Sequence, residues 1–136
     1  MNTALTSLGE IIAELPALSA HHARTSAAYA LRKTAVAEAI AASRFGQTTG
    51  ARETLGDFGE IELPYYKMGA VDSTDLFGLD ELIIFSFYWT NRNRYRRAAD
   101  IGANLGLHSI LMSKCGWQVN AYEPDPVHAR LLRRNL

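Results

Sequence analysis

The sequence predicts an α/β fold in which a parallel sheet follows an N-terminal helical segment. Three observations support this prediction. An alanine-rich region with helical periodicity occupies residues 1–45. Two short predicted strands near the end of the chain each finish in an acid, Asp100 and Glu123. A helical pattern follows each of them after a short connection, and strand–helix–strand–helix order is typical of parallel sheets.

The composition describes a chain with room for one modest domain. Its 136 residues are 48% apolar, and 14 Lys and Arg balance 14 Asp and Glu. Such a chain can bury a core, and its overall charge favours neither nucleic acid nor a membrane surface. The single cysteine, Cys115, excludes an internal disulfide and fits a reducing compartment. No apolar run approaches the roughly 20 residues that span a bilayer, so we predict a cytoplasmic protein without a membrane partner.

Two helices are predicted in the N-terminal segment. The first covers 6–15, where Ser7 and Glu10 have the spacing of a capping box. The second covers 24–45 and is rich in alanine, the best helix former. Its apolar stripe includes Leu31, and we expect this stripe to be buried.

No metal site is predicted. His21 and His22 are adjacent, and adjacent residues of a helix point to different faces. Asp72, Asp75 and Asp80 are spaced too loosely for a metal site, so roles in turns and helix caps are favoured.

A linker is predicted over 46–59, which holds four glycines and little apolar content. It separates the helical segment, 1–45, from a domain over 60–136. Within that domain, polar and apolar residues alternate over 60–67, which predicts a short strand. Pro64 restricts this strand to the edge of a sheet. The aromatic residues of the stretch 80–94 favour a strand. Its acidic N-terminal end and basic C-terminal end favour a helix, because they complement the helix dipole, and we predict a buried helix.

The end of the chain alternates between strand and helix. The predicted elements are strand 96–100, helix 105–116, strand 117–123 and helix 125–136. Asp125 is a favourable cap for the last helix, and Pro126 fits its first turn.

A glycine-containing turn joins the first of these strands to its helix. Asp100 ends the strand, and Gly102 and Gly106 flank Ala103, Asn104 and Leu105. Glycines allow the backbone to turn sharply and a ligand to lie against the main chain. Ligands of open α/β sheets bind outside the carboxyl ends of the strands. We therefore expect Asp100, the turn and Glu123 to line one crevice.

The spacing of these residues favours a zwitterionic nucleoside as the ligand. Glu123 lies 21 positions after Gly102, where a carboxylate can accept hydrogen bonds from a ribose diol. A dinucleotide loop needs G-x-G-x-x-G, whereas this turn reads G-x-x-x-G. Asp100 is available for an ammonium group, and Pro124 lies where an adenine would bind. S-adenosylmethionine has all three of these groups.

Three stretches carry a family resemblance: "DIGANLGLHS", "GWQVNAYEPDP" and "LLRRNL". They resemble the cofactor-binding half of class I S-adenosylmethionine-dependent methyltransferases, and FkbM-type enzymes in particular. The resemblance covers 97–136 and is weaker over 58–96, while 1–50 carries no family signal. It implies a Rossmann-like sheet, S-adenosyl-L-methionine as cofactor, and O-methylation of a sugar or natural-product hydroxyl. The acceptor would then be a small molecule or a carbohydrate.

The resemblance also implies a set of cofactor-binding residues. These are Asp100, Gly102, Ala103, Asn104, Gly106, His108, Glu123 and Pro124. Glu123 matches the ribose-binding acid of the family. His108 lies in the first helical turn, and whether it contacts a ligand or only a protein neighbour stays open. No catalytic base is assigned, and Cys115 and Trp117 are interpreted as packing residues.

Only two parallel strands are predicted, whereas a class I methyltransferase sheet has several more. We therefore expect the chain to be part of a longer protein that supplies the substrate and catalytic residues elsewhere. The part present here is then expected to be inactive on its own. In the other interpretation, the N-terminal helices cover the small sheet in an unusual way.

Three alternative functions stay open. Residues 91–97, "NRNRYRR", place four arginines around one tyrosine, a composition that could bind RNA phosphates. We favour a solvated helix end there, so a nucleic-acid partner is not expected. The second alternative is the nucleotide-binding half of an NAD-dependent oxidoreductase. The third is a non-catalytic partner-binding module that forms a homo-oligomer through its N-terminal helices.

Overall fold

The structure is a computed structural model that describes residues 6–45 and 52–136. Its internal contacts divide the chain into two units, Met1–Phe87 and Tyr88–Leu136. Both units combine helices with short strands, so the fold is of mixed α and β class. The described residues form three two-stranded sheets. No helix within these two ranges is long and apolar enough to cross a membrane.

The first helix, α1 (Leu8–Glu14), begins at the capping box that the sequence predicts. The Ser7 hydroxyl oxygen accepts a hydrogen bond from the Glu10 amide at 3.3 Å. The Glu10 carboxylate accepts one from the Ser7 amide at 2.7 Å. Each bond satisfies a backbone N–H group that a helix N-terminus otherwise leaves unpaired.

The second helix, α2 (Ala27–Ala42), starts three residues later than the sequence predicts. Ser19–His22 forms a separate 3-10 turn, and Ser26 caps α2 by accepting from the Tyr29 amide at 3.0 Å. The predicted apolar stripe is partly wrong, since the Leu31 side chain is 76% exposed. The buried side chains of this helix are those of Tyr29, Val36 and Ala39.

The two adjacent histidines take part in local hydrogen bonds. His22 Nε2 lies 2.7 Å from the Leu15 carbonyl oxygen, and His21 Nδ1 accepts from Arg32 Nε at 3.1 Å. These contacts fasten the 3-10 turn to the chain on either side of it. Within 6–45 and 52–136, no group of three or more potential metal ligands comes together.

Two short strands follow, β1 (Arg52–Thr54) and β2 (Glu60–Glu62), and they pair antiparallel. Arg52 binds the carboxylates of Glu60 and Glu62 at 3.3 and 2.9 Å. The prediction of a loop is therefore wrong at 52–54, which form a strand. Pairing with β2 satisfies the backbone N–H and C=O groups of these residues, and the local composition gave no sign of that pairing. Residues 46–51 of the predicted linker lie outside the described residues, and the predicted domain boundary stays a prediction.

A second hairpin is formed by β3 (Lys67–Met68) and β4 (Val71–Asp72). Asp72 then caps the 3-10 turn Ser73–Phe77, with its side chain accepting from the backbone of that turn. The cap role predicted for this acid is confirmed.

The helix predicted over 80–94 is present as α3 (Leu79–Thr90), which ends four residues earlier than predicted because 91–94 form a turn. Its Leu82 and Phe85 side chains are fully buried. Asp80, in its first turn, accepts a hydrogen bond from the Tyr29 hydroxyl at 2.8 Å and pairs with Arg24. This acid therefore holds the start of α3 to the region around α2.

The second unit contains the parallel pair of strands that the sequence predicts. β5 (Arg97–Ile101) pairs with β6 (Gln118–Tyr122) over their full lengths. α4 (Leu107–Lys114) connects the two strands, and α5 (Pro126–Asn135) follows β6. Each element lies within two residues of its predicted bounds. The described residues contain this one parallel pair and no wider parallel sheet.

The two faces of this pair differ in exposure. Asp100 stands opposite Ala121, and both are half-buried. Ile101 stands opposite Tyr122 on the other face, where the two side chains are 83% and 57% exposed. The acid at the end of β5 therefore projects to the covered face.

Close backbone packing in the first unit yields a first prediction. A Cβ atom on Gly9 would lie 2.4 Å from the Gly56 nitrogen. We expect Gly9→Ala to lower the free energy of unfolding by about 2 kcal/mol, because backbone must shift to admit the methyl group. This cost exceeds the gain of about 1 kcal/mol that alanine brings to a helix. Urea unfolding followed by circular dichroism measures it.

Gly78→Ala is the matched control. Its Cβ would meet nothing closer than the Asp75 carbonyl oxygen at 3.8 Å. We expect the free energy of unfolding to change by less than about 1 kcal/mol. Equal losses for the two variants would mean that the approach of Gly9 to Gly56 contributes nothing.

Candidate functional site

The loop between β5 and α4, the glycine turn (residues 102–106), curls over the end of β6. The amides of Gly102 and Ala103 both donate to the Tyr122 carbonyl oxygen, at 2.8 and 3.0 Å. Positive φ angles of 79°, 52° and 92° occur at Gly102, Asn104 and Gly106. This conformation is tolerated by glycine and, to a lesser degree, by asparagine. The residue types of the motif therefore allow the loop to close.

Glu123, the first residue after β6, bonds to the glycine turn. Its Oε2 atom accepts from the Asn104 amide at 2.8 Å, and its Oε1 atom accepts from the Asp125 amide at 2.8 Å. The carboxylate thus joins the glycine turn to the loop that leads into α5. A carboxylate has about four acceptor positions, so each oxygen can accept one further donor.

Asp100 is held from α4. The Ser109 hydroxyl, which is fully buried, donates to Asp100 Oδ2 at 2.6 Å. The strand register places Asp100 beside Ala121, two residues before Glu123, so the two acids share one face of the pair. The sequence did not indicate the role of Ser109, whose only signal is its position in the first turn of α4, directly after the glycine turn.

A hollow of about 720 Å³ opens at this end of the second unit. Its wall includes three of the eight predicted site residues, Gly102, Glu123 and Pro124. Apolar side chains of β6 and α5 complete much of the wall, among them Val119, Ala121, Ala129 and Leu132. The other five predicted residues lie in or next to the glycine turn: Asp100, Ala103, Asn104, Gly106 and His108.

Two polar features of the turn lack a protein partner. Asn104 Oδ1 is buried and, within the described residues, accepts no hydrogen bond. No side chain caps the first turn of α4, where Gly106 is the N-cap. A buried acceptor without a donor costs about 1–3 kcal/mol, and an uncapped helix start presents N–H groups and positive potential. Both features can be satisfied by a polar ligand.

The glycine turn is also fastened from α5. Asn135 Nδ2 donates to the Leu105 carbonyl oxygen at 2.9 Å. The buried Leu132 side chain lies against Gly106, where a Cβ atom would be 2.7 Å from Leu132 Cδ1. The sequence offers Asn135 only as part of the "LLRRNL" resemblance, and its partner, 30 residues away, is seen in the structure alone.

His108 contacts an aromatic neighbour within the second unit. Its Nδ1 atom lies 2.9 Å from the Tyr88 hydroxyl, and the two rings meet edge-on at 5.9 Å. Tyr88 also packs edge-on against Trp117, whose side chain is buried and whose Nε1 donates to the Arg92 carbonyl oxygen at 3.0 Å. The packing role predicted for Trp117 is confirmed, and Tyr88 is a neighbour of His108 that the sequence did not indicate.

Asp125 caps α5 as predicted. Its Oδ1 atom accepts from the amides of His128 and Val127 at 2.9 and 2.8 Å. The His128 amide makes the largest contribution to a lowered pKa of the Asp125 carboxyl. The stabilisation from this cap is therefore present at neutral pH and is lost as the pH falls through that lowered pKa.

Comparison of the chain with protein-family models, with curated proteins and with solved structures gives no match. A functional assignment therefore depends on the residues of this site.

The glycine turn generates a second prediction. We expect Gly106→Ala to lower the free energy of unfolding by about 2 kcal/mol, because the left-handed backbone and the Leu132 contact both oppose a methyl group. Gly102→Ala is the control, since its φ angle is also positive but its Cβ would meet nothing within 4 Å. It should cost about 1 kcal/mol. Urea unfolding compares the two, and a larger loss for Gly102→Ala would contradict the packing argument.

Cys115, the C-cap residue of α4, generates a third prediction. Burial raises the pKa of its thiol from the ordinary 9.0 to about 11, although Arg92 opposes the rise. Near pH 8, the folded protein should react with a disulfide reagent at least about tenfold more slowly than the urea-unfolded chain, because its smaller thiolate fraction outweighs the higher nucleophilicity of a thiolate with a raised pKa. The folded state keeps its proton between those two pKa values while the unfolded state loses it. The contribution of this thiol to stability is therefore full below about pH 9 and falls as the pH rises to 11. Equal labelling rates in buffer and urea would contradict the burial.

Proposed function

We propose that this chain is the cofactor-binding half of an S-adenosylmethionine-dependent methyltransferase of class I, of the FkbM type, with a Rossmann-like sheet. The observation that supports this most is the Glu123 carboxylate. It bonds to the glycine turn and retains acceptor capacity at the carboxyl ends of two parallel strands. This is the end of an α/β sheet at which ligands bind. The reaction proposed is O-methylation of a hydroxyl on a sugar or natural product.

The polar groups of the site fit the cofactor. Glu123 would accept from the ribose hydroxyls, and Asp100, whose Oδ1 atom is not used by Ser109, would attract the ammonium group. Asn104 Oδ1 would gain the donor it lacks within the described residues. The apolar wall beside Pro124 would take the adenine. The uncapped start of α4 suits the carboxylate of the amino-acid moiety.

The hydrogen bonds of the turn favour this ligand over a dinucleotide. A pyrophosphate needs free main-chain N–H groups in the glycine loop. Here the amides of Gly102 and Ala103 donate to Tyr122, and that of Asn104 donates to Glu123. Three donors of the loop are therefore used within the protein, which argues against the oxidoreductase alternative.

When bound, S-adenosylmethionine would supply a methyl group that its sulfonium activates for transfer. The residues of this chain would bind and orient the cofactor, so their contribution is one of positioning. A hydroxyl acceptor also needs a general base. We assign none, since the His108 Nδ1 atom is already within hydrogen-bond distance of the Tyr88 hydroxyl. Methylation of RNA is a second candidate, which the arginines of 91–97 favour.

Calorimetric titration of the full chain with S-adenosylmethionine, S-adenosylhomocysteine and NADH tests the proposal. We expect the first two to bind and NADH to give no heat. Glu123→Gln should weaken binding of both at least about tenfold, because a charged acceptor of ribose hydroxyls is lost. Glu38→Gln removes an exposed carboxylate on α2 and should leave binding unchanged.

Each contrary outcome points to a different function. Tighter binding of NADH than of S-adenosylmethionine would replace the proposal with the oxidoreductase half. Absence of all binding, together with association that depends on protein concentration, would replace it with the partner-binding module. Because Glu123 also bonds to the backbone, the melting temperature of each ligand-free variant is measured first, and affinities are compared among folded variants only.

A further inference from the structure

The second unit carries a strong positive charge that the neutral total conceals. Tyr88–Leu136 contains eight Lys and Arg against three Asp and Glu, a formal charge of +5. The first unit therefore carries −5, since the whole chain is neutral. Four ion pairs form among the described residues, and their cations, Arg24, Arg32 and Arg52, all belong to the first unit. The charge of the second unit is not neutralised by ion pairs within it.

The topology collects cations at one end of the parallel strands. Arg92, Arg94, Arg96 and Arg97 lie immediately before or at the start of β5. Lys114 ends α4, which runs back from the carboxyl end of β5 to the start of β6. These five cations form what we call the basic end. All three acids of the unit lie at the opposite end, in or after the last two residues of a strand: Asp100, Glu123 and Asp125.

The backbone that bears these arginines is fixed in place. The Trp117 indole donates to the Arg92 carbonyl oxygen at 3.0 Å, and the Gln118 amide donates to that of Arg96 at 2.9 Å. Between the residues held by these two hydrogen bonds, the Arg94 amide donates to the Asn91 carbonyl oxygen at 2.8 Å. Little conformational entropy of the backbone would be lost when a ligand binds here.

Four of the five side chains of the basic end are exposed, whereas Arg92 is half-buried and donates to the Trp89 carbonyl oxygen at 2.7 Å. Arg94, Arg96 and Arg97 are exposed, and Tyr95 between them is 37% exposed. The Arg94 guanidinium lies 5.6 Å from the Tyr95 ring centroid. Arginine matches phosphate in geometry and charge, and both arginine and tyrosine stack on nucleic-acid bases. An aromatic between closely spaced arginines is thus suited to a single strand with phosphates and accessible bases.

A membrane surface fits less well. Stable binding to lipid combines electrostatic attraction with the burial of large apolar side chains beside the cations. The other exposed apolar side chains of the second unit lie outside the basic end, namely Ile101, Tyr122, Val127 and Leu136.

We propose that the basic end binds single-stranded RNA, chiefly through its phosphates. This goes beyond the proposed function and does not rest on it, because the basic end and the candidate cofactor site lie at opposite ends of β5 and β6. It also revises the expectation from the sequence that 91–97 is only a solvated helix end. The surface would hold an RNA strand without itself contributing to methyl transfer.

Fluorescence anisotropy with a labelled oligouridylate of about 16 nucleotides tests the proposal. We expect the full chain, without cofactor, to bind with an affinity that falls as salt rises. The triple variant Arg94→Ala, Arg96→Ala and Arg97→Ala should lose at least about tenfold in affinity at low salt. Its plot of log affinity against log salt should be shallower by about 2, since single strands contribute about 0.7 for each phosphate contact.

A triple variant of α5, Arg130→Ala, Arg133→Ala and Arg134→Ala, is the matched control, because it removes the same charge from the same unit. It should retain most of the affinity. Equal losses in both variants would overturn the proposal in favour of diffuse attraction, and absence of binding at low salt would refute it outright. Vesicles containing anionic phospholipid form a further arm, and binding to them without binding to RNA would assign the surface to membranes.

Discussion

The hydrogen bond between the Asn104 amide and the Glu123 carboxylate is the constraint on which the proposed site depends. It joins the loop after β5 to the loop after β6 at the point where the strands end. The bond forms because the backbone is left-handed at three positions of the turn, which brings the Asn104 amide over β6. Two residues of α5 hold the same loop. The Leu132 side chain packs against Gly106, and the Asn135 side chain donates to the Leu105 carbonyl oxygen. The geometry of the site thus belongs to the turn and both loops together.

Local rules account for much of what the sequence predicted correctly. The capping boxes and caps at Ser7, Asp72 and Asp125 involve residues two or three positions apart, so a single sequence contains both partners. The end of the chain was predicted to within two residues for the same reason, because each strand and helix carries its own start and stop signals. The order of strand, glycine turn and strand also indicated that Glu123 lies beside the glycine turn, with which it forms a hydrogen bond, whereas the cofactor-binding role expected of these residues stays a prediction.

Contacts between distant residues account for what the sequence did not reveal. Leu31 stands in an apolar stripe, yet it is exposed because burial follows from what packs against α2 and not from the helix alone. β1 arises from pairing with β2 within a glycine-rich stretch. In the site, Ser109 to Asp100 and Asn135 to Leu105 link different elements. One sequence offers no signal for such partners, although each residue type suits its role.

The distribution of charge is a second property that the sequence total did not reveal. The net charge of zero gave no reason to expect a polyanionic ligand. It is, however, the sum of a formal charge of −5 in the first unit and +5 in the second unit. A phosphate strand responds to the charges within about 10 Å of it, since salt screens those farther away. The relevant quantity is therefore the density of arginines at one end of two short strands. Acids at the other end would repel the same strand, so the polarity along β5 and β6 separates the two proposed ligands in space.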